Sequence, residues 1–249
     1  MGALHEGHLS LLRLAATDNP SVVASIFVNP TQFGAGEDFS RYPRDEAADL
    51  GLLETTGVDL AFVPPVEAIY PPGASTSVEV GRLGEVLEGA ARPGHFRGVA
   101  TVVTILFALV RPARAYFGQK DGQQAVVVRR LVRDLGLPLE VVVGPTVREP
   151  DGVAMSSRNV YLTPDERAVA PTLYRVLTLC AEKIAKGRPI ATILSEGREV
   201  IERGGFALEY LEARHAETLA PVRSIKDGPV RLLVAAKLGK TRLIDNVGV

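Results

Sequence analysis

Two histidines stand three residues apart near the start of the chain, His5 and His8, in the string Met1-Gly2-Ala3-Leu4-His5-Glu6-Gly7-His8. The apolar run that follows, Leu9, Leu11, Leu12 and Leu14, repeats at helical spacing. That period puts both histidines at or just before a helix N-terminus, as neighbours on one face. Unpaired backbone N–H groups and the positive end of the helix dipole collect there, which suits a phosphate. Gly2 and Gly7 let a ligand approach the backbone with no Cβ in the way. Two imidazoles in such a place can donate hydrogen bonds to phosphate oxygens as charge builds on them. Taken alone, the string equally fits two surface histidines that fall near a helix start. A zinc site is not expected, because the spacing is not HExxH and no further His or Cys cluster is apparent.

Three other polar stretches offer chemistry of the same kind. Asn29-Pro30-Thr31-Gln32 presents two side-chain amides directly after an apolar run. An amide both donates and accepts, so Asn29 and Gln32 suit a ligand carrying a hydroxyl and a carboxylate, or else satisfy the loop's own backbone. Gly118-Gln119-Lys120-Asp121 combines a close-approach glycine, a point charge suited to phosphate and a helix N-cap, and Gln124 follows Lys120 by one helical turn. A solvated helix start reads the same way. Met155-Ser156-Ser157-Arg158 supplies two hydroxyls and a guanidinium that can neutralise a departing pyrophosphate.

These stretches need elements to hold them. Ser21–Val28, Val58–Val63, Ala113–Phe117 and Leu139–Val143 are β-branched, nearly continuous apolar runs, the pattern of strands buried on both faces. Helices are predicted after His8, over Ala47–Thr56, over Val99–Val110 and from Asp121 to Leu135, with a short strand at Ser75–Val80. Such alternation predicts a doubly wound, Rossmann-like parallel sheet whose ligands collect at the C-terminal strand ends. From the turn-rich stretch 147–152 the pattern changes to helices at Pro164–Lys186 and Ile190–Gly204, then strands at Leu208–Arg214, Val230–Ala236 and Thr241–Val247. The chain is thus expected to divide into a Rossmann-like domain over 1–147 and a smaller α+β domain over 148–249.

With 249 residues the chain can bury a substantial core. A formal net charge of −1 excludes a general nucleic-acid or membrane-surface binder, so any anion must be held by a local site. The single cysteine, Cys180, lies on the apolar side of a predicted helix, which points to core packing and a reducing compartment. No signal peptide precedes the first motif, and the longest apolar run, Val99–Val110, is too short to span a bilayer.

Taken together, MGALHEGH, FVNPTQF, YPR, GHFRGV, FGQKD and DGVAMSSRN occur in this order, and the chain closes on RLIDNVGV. This series resembles the pantoate–β-alanine ligase (pantothenate synthetase) family of the HxGH nucleotidyltransferase superfamily over nearly the whole chain. The resemblance implies a cytoplasmic, homodimeric ligase that turns ATP and (R)-pantoate into pantoyl adenylate and pyrophosphate. β-Alanine then attacks the adenylate to give pantothenate and AMP. It implies that Met1, Gly2, Ala3, Leu4, His5, Glu6, Gly7 and His8 bind ATP, with His8 the proton donor and His5 beside it on the phosphates. Gly118, Gln119, Lys120 and Asp121 would contact the nucleotide, and Val147, Met155, Ser156, Ser157 and Arg158 would complete its site. Lys120 and Arg158 join the two histidines as the catalytic set. Gln32 and Gln124 would hold pantoate, with Asn29 nearby, and Gln32 close to where β-alanine enters. Mg²⁺ would travel mainly with the phosphates, no protein ligand being named and Asp49 serving at most as an outer contact.

Two features depart from the family pattern. Family members carry further residues ahead of the Met-Gly pair, including the first parallel strand, so the expected sheet lacks that strand and leaves Met1–Ala3 without an anchor. Gly122 replaces a larger residue, which is expected to loosen the start of its helix. The alternatives are another HxGH nucleotidyltransferase, without need of the two glutamines, and an ATP-binding homologue without turnover.

Overall fold

In the computed structural model, which describes every residue from Met1 to Val249, the leucine-rich run after His8 forms α1 (Glu6–Asp18). Its leucines serve two sides. Leu9 and Leu12 enter a core with Leu4, Ala24, Ile26 and Leu53, while Leu11 and Leu14 lie against Gly144. The far end of the helix is tied down by Asn19, whose amide donates to Ala15 O at 2.8 Å and to the Tyr116 hydroxyl at 2.7 Å. That hydroxyl in turn donates to Asp18.

Then follow β1 (Val23–Ser25), α2 (Glu46–Glu54), β2 (Leu60–Phe62), the short helices α3 (Val66–Ile69) and α4 (Glu88–Ala91), and α5 (His95–Val110). β3 (Arg114–Gly118), α6 (Gly122–Asp134) and β4 (Glu140–Gly144) complete the parallel part. β1 pairs with β2 and β3 with β4, both parallel, as two separate sheets. A second core fills the space around α5 and the later part of α6, with Phe96, Val99, Ala100, Val103, Val127, Val128 and Leu131 buried.

The order of strands and helices follows the predicted alternation, but the strands differ in two ways. The run Ser21–Val28 reads as buried on both faces, yet only three of its residues form strand and Val23 is 37% exposed. Val22, Ala24 and Ile26 are buried while Val23 between them is not, so the run is covered chiefly on one face. Ser75–Val80, predicted as a strand, is irregular: Val78 N donates to Thr101 Oγ1 at 2.9 Å rather than to a ladder partner.

The last hundred residues form α7 (Pro164–Val169), α8 (Thr172–Ala185), α9 (Ile190–Arg203) and the antiparallel strands β5 (Ala207–His215), β6 (Val230–Leu238) and β7 (Thr241–Gly248). The apolar period over Pro164–Lys186 predicts one helix, but Pro171, which has no N–H to donate, divides it in two. α8 and α9 pack on the sheet through Leu177, Ile193, Ile201, Leu211, Leu232 and Val234. Cys180 is buried among them, donating to Ile193 O, and burial pushes its thiol pKa up.

Backbone contacts group the chain into two units, Met1–Gly118 with Val127–Pro145, and Gln119–Val126 with Thr146–Val249. The segment 119–126 falls within the first domain as expected from sequence, but groups here with the second unit because β7 holds it. No helix is long and apolar enough to cross a membrane.

Candidate functional site

In the first unit, the two histidines cap α1 by holding one another. His5 is the N-cap residue and its Nδ1 accepts from Gly7 N at 3.1 Å, while His8 Nδ1 accepts from His5 N at 3.3 Å. This is the reciprocal logic of a capping box with imidazoles in place of hydroxyl and carboxylate. The rings lie with centroids 4.0 Å apart. An Nδ1 that accepts from a backbone N–H carries no proton, so each neutral ring bears its proton on Nε2. The helix start therefore fixes both tautomers and makes each Nε2 a donor beside the N-terminal amides.

The residues ahead of the histidines are held from two directions. The Met1 amine donates to Ser25 O at 3.0 Å and Phe27 N donates to Met1 O at 2.8 Å, which places Met1 alongside β1 in ladder register. Asp49, buried on α2, accepts from Ala3 N at 2.9 Å and from Leu4 N at 2.6 Å. The expectation that Met1–Ala3 lack an anchor is thus overturned: a strand edge and a buried carboxylate both hold them. Asp49 also keeps Ala3 in the left-handed region (φ 49°), which costs a non-glycine residue about 1 kcal/mol. Gly2 packs closely on Val28, since a Cβ there would stand 3.2 Å from its side chain.

The two amides of Asn29–Gln32 have different tasks. Asn29 is buried and wholly engaged: its Oδ1 accepts from Thr31 and from the Tyr70 hydroxyl, and its Nδ2 donates to Gln32 Oε1 and Gly98 O. It braces the loop and orients Gln32. The loop lies so close to α5 that a Cβ on Gly98 would overlap Thr31 O and stand 2.6 Å from Gln32 N. Only glycine permits this approach.

Behind Gln32 lies a buried polar cluster. His95 Nδ1 lies 2.9 Å from Gln32 O, Arg92 Nη1 lies 3.2 Å from His95 Nε2, and Arg92 grips both oxygens of Glu37 at 2.8 and 2.6 Å. Burial, reinforced by the Arg92 charge, lowers the His95 pKa to about 4. The neutral ring donates from Nδ1 to Gln32 O and accepts from Arg92 at Nε2. Burial alone would raise the Glu37 pKa, but its bonds to Arg92 bring it below the ordinary value.

Unfolded chains protonate His95 near pH 6.5 while the folded protein resists down to about pH 4. Stability is therefore full above pH 6.5 and falls as the pH drops through that window. Urea unfolding at pH 7 and pH 4.5 is expected to show the wild type losing about 2 kcal/mol more than His95→Asn. Equal losses in the two proteins would show that His95 does not drive the acid sensitivity.

In the second unit, Gln119–Asp121 form a single 3-10 turn ahead of α6. The Lys120 ammonium lies 3.4 Å from Asp121 Oδ1. The turn is held by Asn246 of β7, buried at 4% exposure, whose Nδ2 donates to Gln119 O and Lys120 O, both at 2.9 Å. Asn246 Oδ1 accepts from Gln119 Nε2 at 3.3 Å and from Arg231 Nη1 at 2.8 Å. Gly122 makes room for this: a Cβ there would stand 3.1 Å from the Asn246 amide. The helix start is thus held by Asn246 despite the glycine. Gln124, one turn on, is partly buried.

The hinge candidate 147–152 is a tight hairpin. Met155 N donates to Val147 O and Glu149 N to Val153 O. Arg148 makes a two-pronged ion pair with buried Asp245 at 2.6 and 2.8 Å, its guanidinium 3.7 Å from the centre of the Tyr174 ring. The hairpin delivers Met155–Arg158 into a 3-10 helix (Ser157–Tyr161), where Ser156 Oγ accepts from Arg158 N and Ser157 is buried. Asn159 braces it by donating to Glu149 and Ala154 O.

The first unit thus brings together Met1–His8, and separately Asn29 with Gln32, while the second unit holds Gln119–Asp121, Gln124, Val147 and Met155–Arg158. Arg92, His95, Asp245 and Asn246 escape a reading by residue type, because their partners are distant in sequence. GHFRGV and RLIDNVGV contain three of them, and a charged or amide residue inside an apolar run is the one signal available.

The family model described as pantoate-beta-alanine ligase matches residues 1–248. A pantothenate synthetase of Acidiphilium cryptum is 58% identical over the whole chain and 89% of its own length, and one of Chloroflexus aggregans is 55% identical over 99% and 90%. The crystal structure of pantothenate synthetase from Thermus thermophilus superposes with a TM-score of 0.96 at 54% identity, covering 99% of this chain and 90% of that one. A Francisella tularensis pantoate-beta-alanine ligase, complexed with β-γ ATP and β-alanine, matches with a TM-score of 0.82 at 34% identity, over 100% of this chain and 87% of that one.

Proposed function

The chain belongs to the pantoate–β-alanine ligase family, and we propose that the groups held at the start of α1 and around Lys120 carry out that ligation. The enzyme joins pantoate to β-alanine with ATP. The observation that carries the assignment of roles is the reciprocal His5–His8 cap, which engages both Nδ1 atoms and fixes two imidazoles at a helix N-terminus.

A pantoate carboxylate oxygen attacks the α-phosphorus, the bond to the β-phosphate oxygen breaks, and pyrophosphate leaves with that electron pair. In such a displacement the protein mainly positions reactants and stabilises spreading charge. His8 donates to the phosphates from Nε2, His5 does so beside it, and Lys120 and Arg158 add positive charge. Gln32 and Gln124 hold the pantoate. The amine of β-alanine then attacks the acyl carbon, the C–O bond to AMP breaks, and the nitrogen gives up its extra proton.

No group of three or more His, Cys, Asp or Glu side chains is arranged to hold a metal ion, and both Asp49 oxygens already accept backbone N–H groups. These residues fit a Mg²⁺ that arrives on the triphosphate, its remaining ligands mostly water, where it would neutralise phosphate charge. The homodimeric, cytoplasmic setting belongs to the same reading, and sedimentation of the purified protein tests the first part.

The test is pantoate-dependent ATP–pyrophosphate exchange, followed by AMP release on adding β-alanine. Exchange that needs pantoate, and AMP that needs β-alanine, is the expected result. Pyrophosphate release with a different, phosphorylated co-substrate would instead identify another nucleotidyltransferase, and ATP binding without exchange a homologue without turnover.

A further inference from the structure

Lys120 is a flexible side chain on a turn too short to hold itself. A single 3-10 turn has few internal bonds and poor geometry, so its orientation must come from outside. Asn246 supplies such support. Asn246 donates both of its N–H bonds to consecutive carbonyls of the turn, Gln119 O and Lys120 O, and receives the Gln119 amide in return. Its own position is set by Arg231 from the neighbouring strand and by its place in the β6–β7 ladder opposite Leu233. The amide is therefore rigid, buried and fully paired, and all of its turn contacts bear on the residues flanking and including Lys120. Asp245, the preceding residue, faces the other way along β7 and fixes Arg148 in the hairpin that carries Met155–Arg158. Two successive residues of the last strand thus anchor both of this unit's phosphate-facing segments.

We propose that Asn246 is a positioning residue for Lys120, the last strand acting as the template that sets where the ammonium group meets the nucleotide. The proposal rests on the reading above in which Lys120 serves the phosphates. Its chemistry is differential: the amide touches no substrate, so its loss should slow adenylate formation while leaving pantoate affinity alone. A displacement of about 1 Å at a group that stabilises the transition state costs up to about 100-fold.

The informative variant is Asn246→Asp. It keeps the shape and the Arg231 bond, while replacing two donors to carbonyls by two acceptors that repel them. Pantoate-dependent ATP–pyrophosphate exchange is expected to fall about 10- to 100-fold in kcat, with KM for pantoate within about twofold. On a Lys120→Ala background the same substitution is expected to cost nothing further, because a residue that acts through Lys120 has nothing left to position. An unimpaired Asn246→Asp, or losses that multiply with those of Lys120→Ala, would overturn the proposal while leaving the catalytic reading intact. A fully active Lys120→Ala would remove Lys120 from the reaction and take the proposal with it.

Discussion

Replacing His8 by alanine is expected to lower pantoate-dependent ATP–pyrophosphate exchange by about two to four orders of magnitude. Two separate losses contribute. The Nε2 donor disappears from the helix N-terminus, where it would follow charge onto the phosphate oxygens, and the Nδ1 acceptor disappears from the cap it makes with His5 N at 3.3 Å. The second loss costs about 1 kcal/mol of stability and frees the first turn of α1. His8→Asn separates them, because its side-chain oxygen can accept from His5 N while offering no imidazole. This variant is expected to melt within a few degrees of the wild type and remain as inactive as the alanine variant. A wild-type rate in either protein would take His8 out of the mechanism.

Replacing Asp49 by alanine is the second large effect expected. The carboxylate holds Ala3 N and Leu4 N from within the core, and its removal strands two backbone donors, that of Leu4 in the core. The left-handed Ala3 would then lack the bonds that keep it there, and Leu4 would be drawn from its place against Leu9 and Ile26. A loss of about 3 kcal/mol in unfolding free energy is expected, with kcat/KM for ATP lowered about 100-fold. Asp49→Asn keeps one acceptor and is expected to fall between the two. If Asp49→Ala stays folded and its kcat/KM for ATP is unchanged, Asp49 and the loop it holds do not serve the nucleotide.

Much of this site is readable from residue type and spacing. The helical period after His8 locates the helix start, and the start makes two histidines three apart into a reciprocal cap. Gln119-Lys120-Asp121 opens a helix as its composition predicts. Other readings change once neighbours are known. Asn29 and Gln32 look equivalent in sequence, yet the buried one is a brace and the other is what it braces. Gly122 reads as a weakness, yet the turn ahead of it is held from β7 by Asn246. Ser75–Val80 has a strand's composition but no strand to pair with.

The sequence by itself determined the local elements, the chemical class of each polar stretch and the family they jointly resemble. All of these rest on short-range periodicity and on the order of motifs. The tertiary structure alone decided which amides and carboxylates are already engaged and which partner each has found. Asp49 reaches Ala3 across 46 positions and Asn246 reaches Lys120 across 126. A buried polar group is satisfied by whichever neighbour the packing delivers, and packing across such separations leaves no periodic trace in the chain.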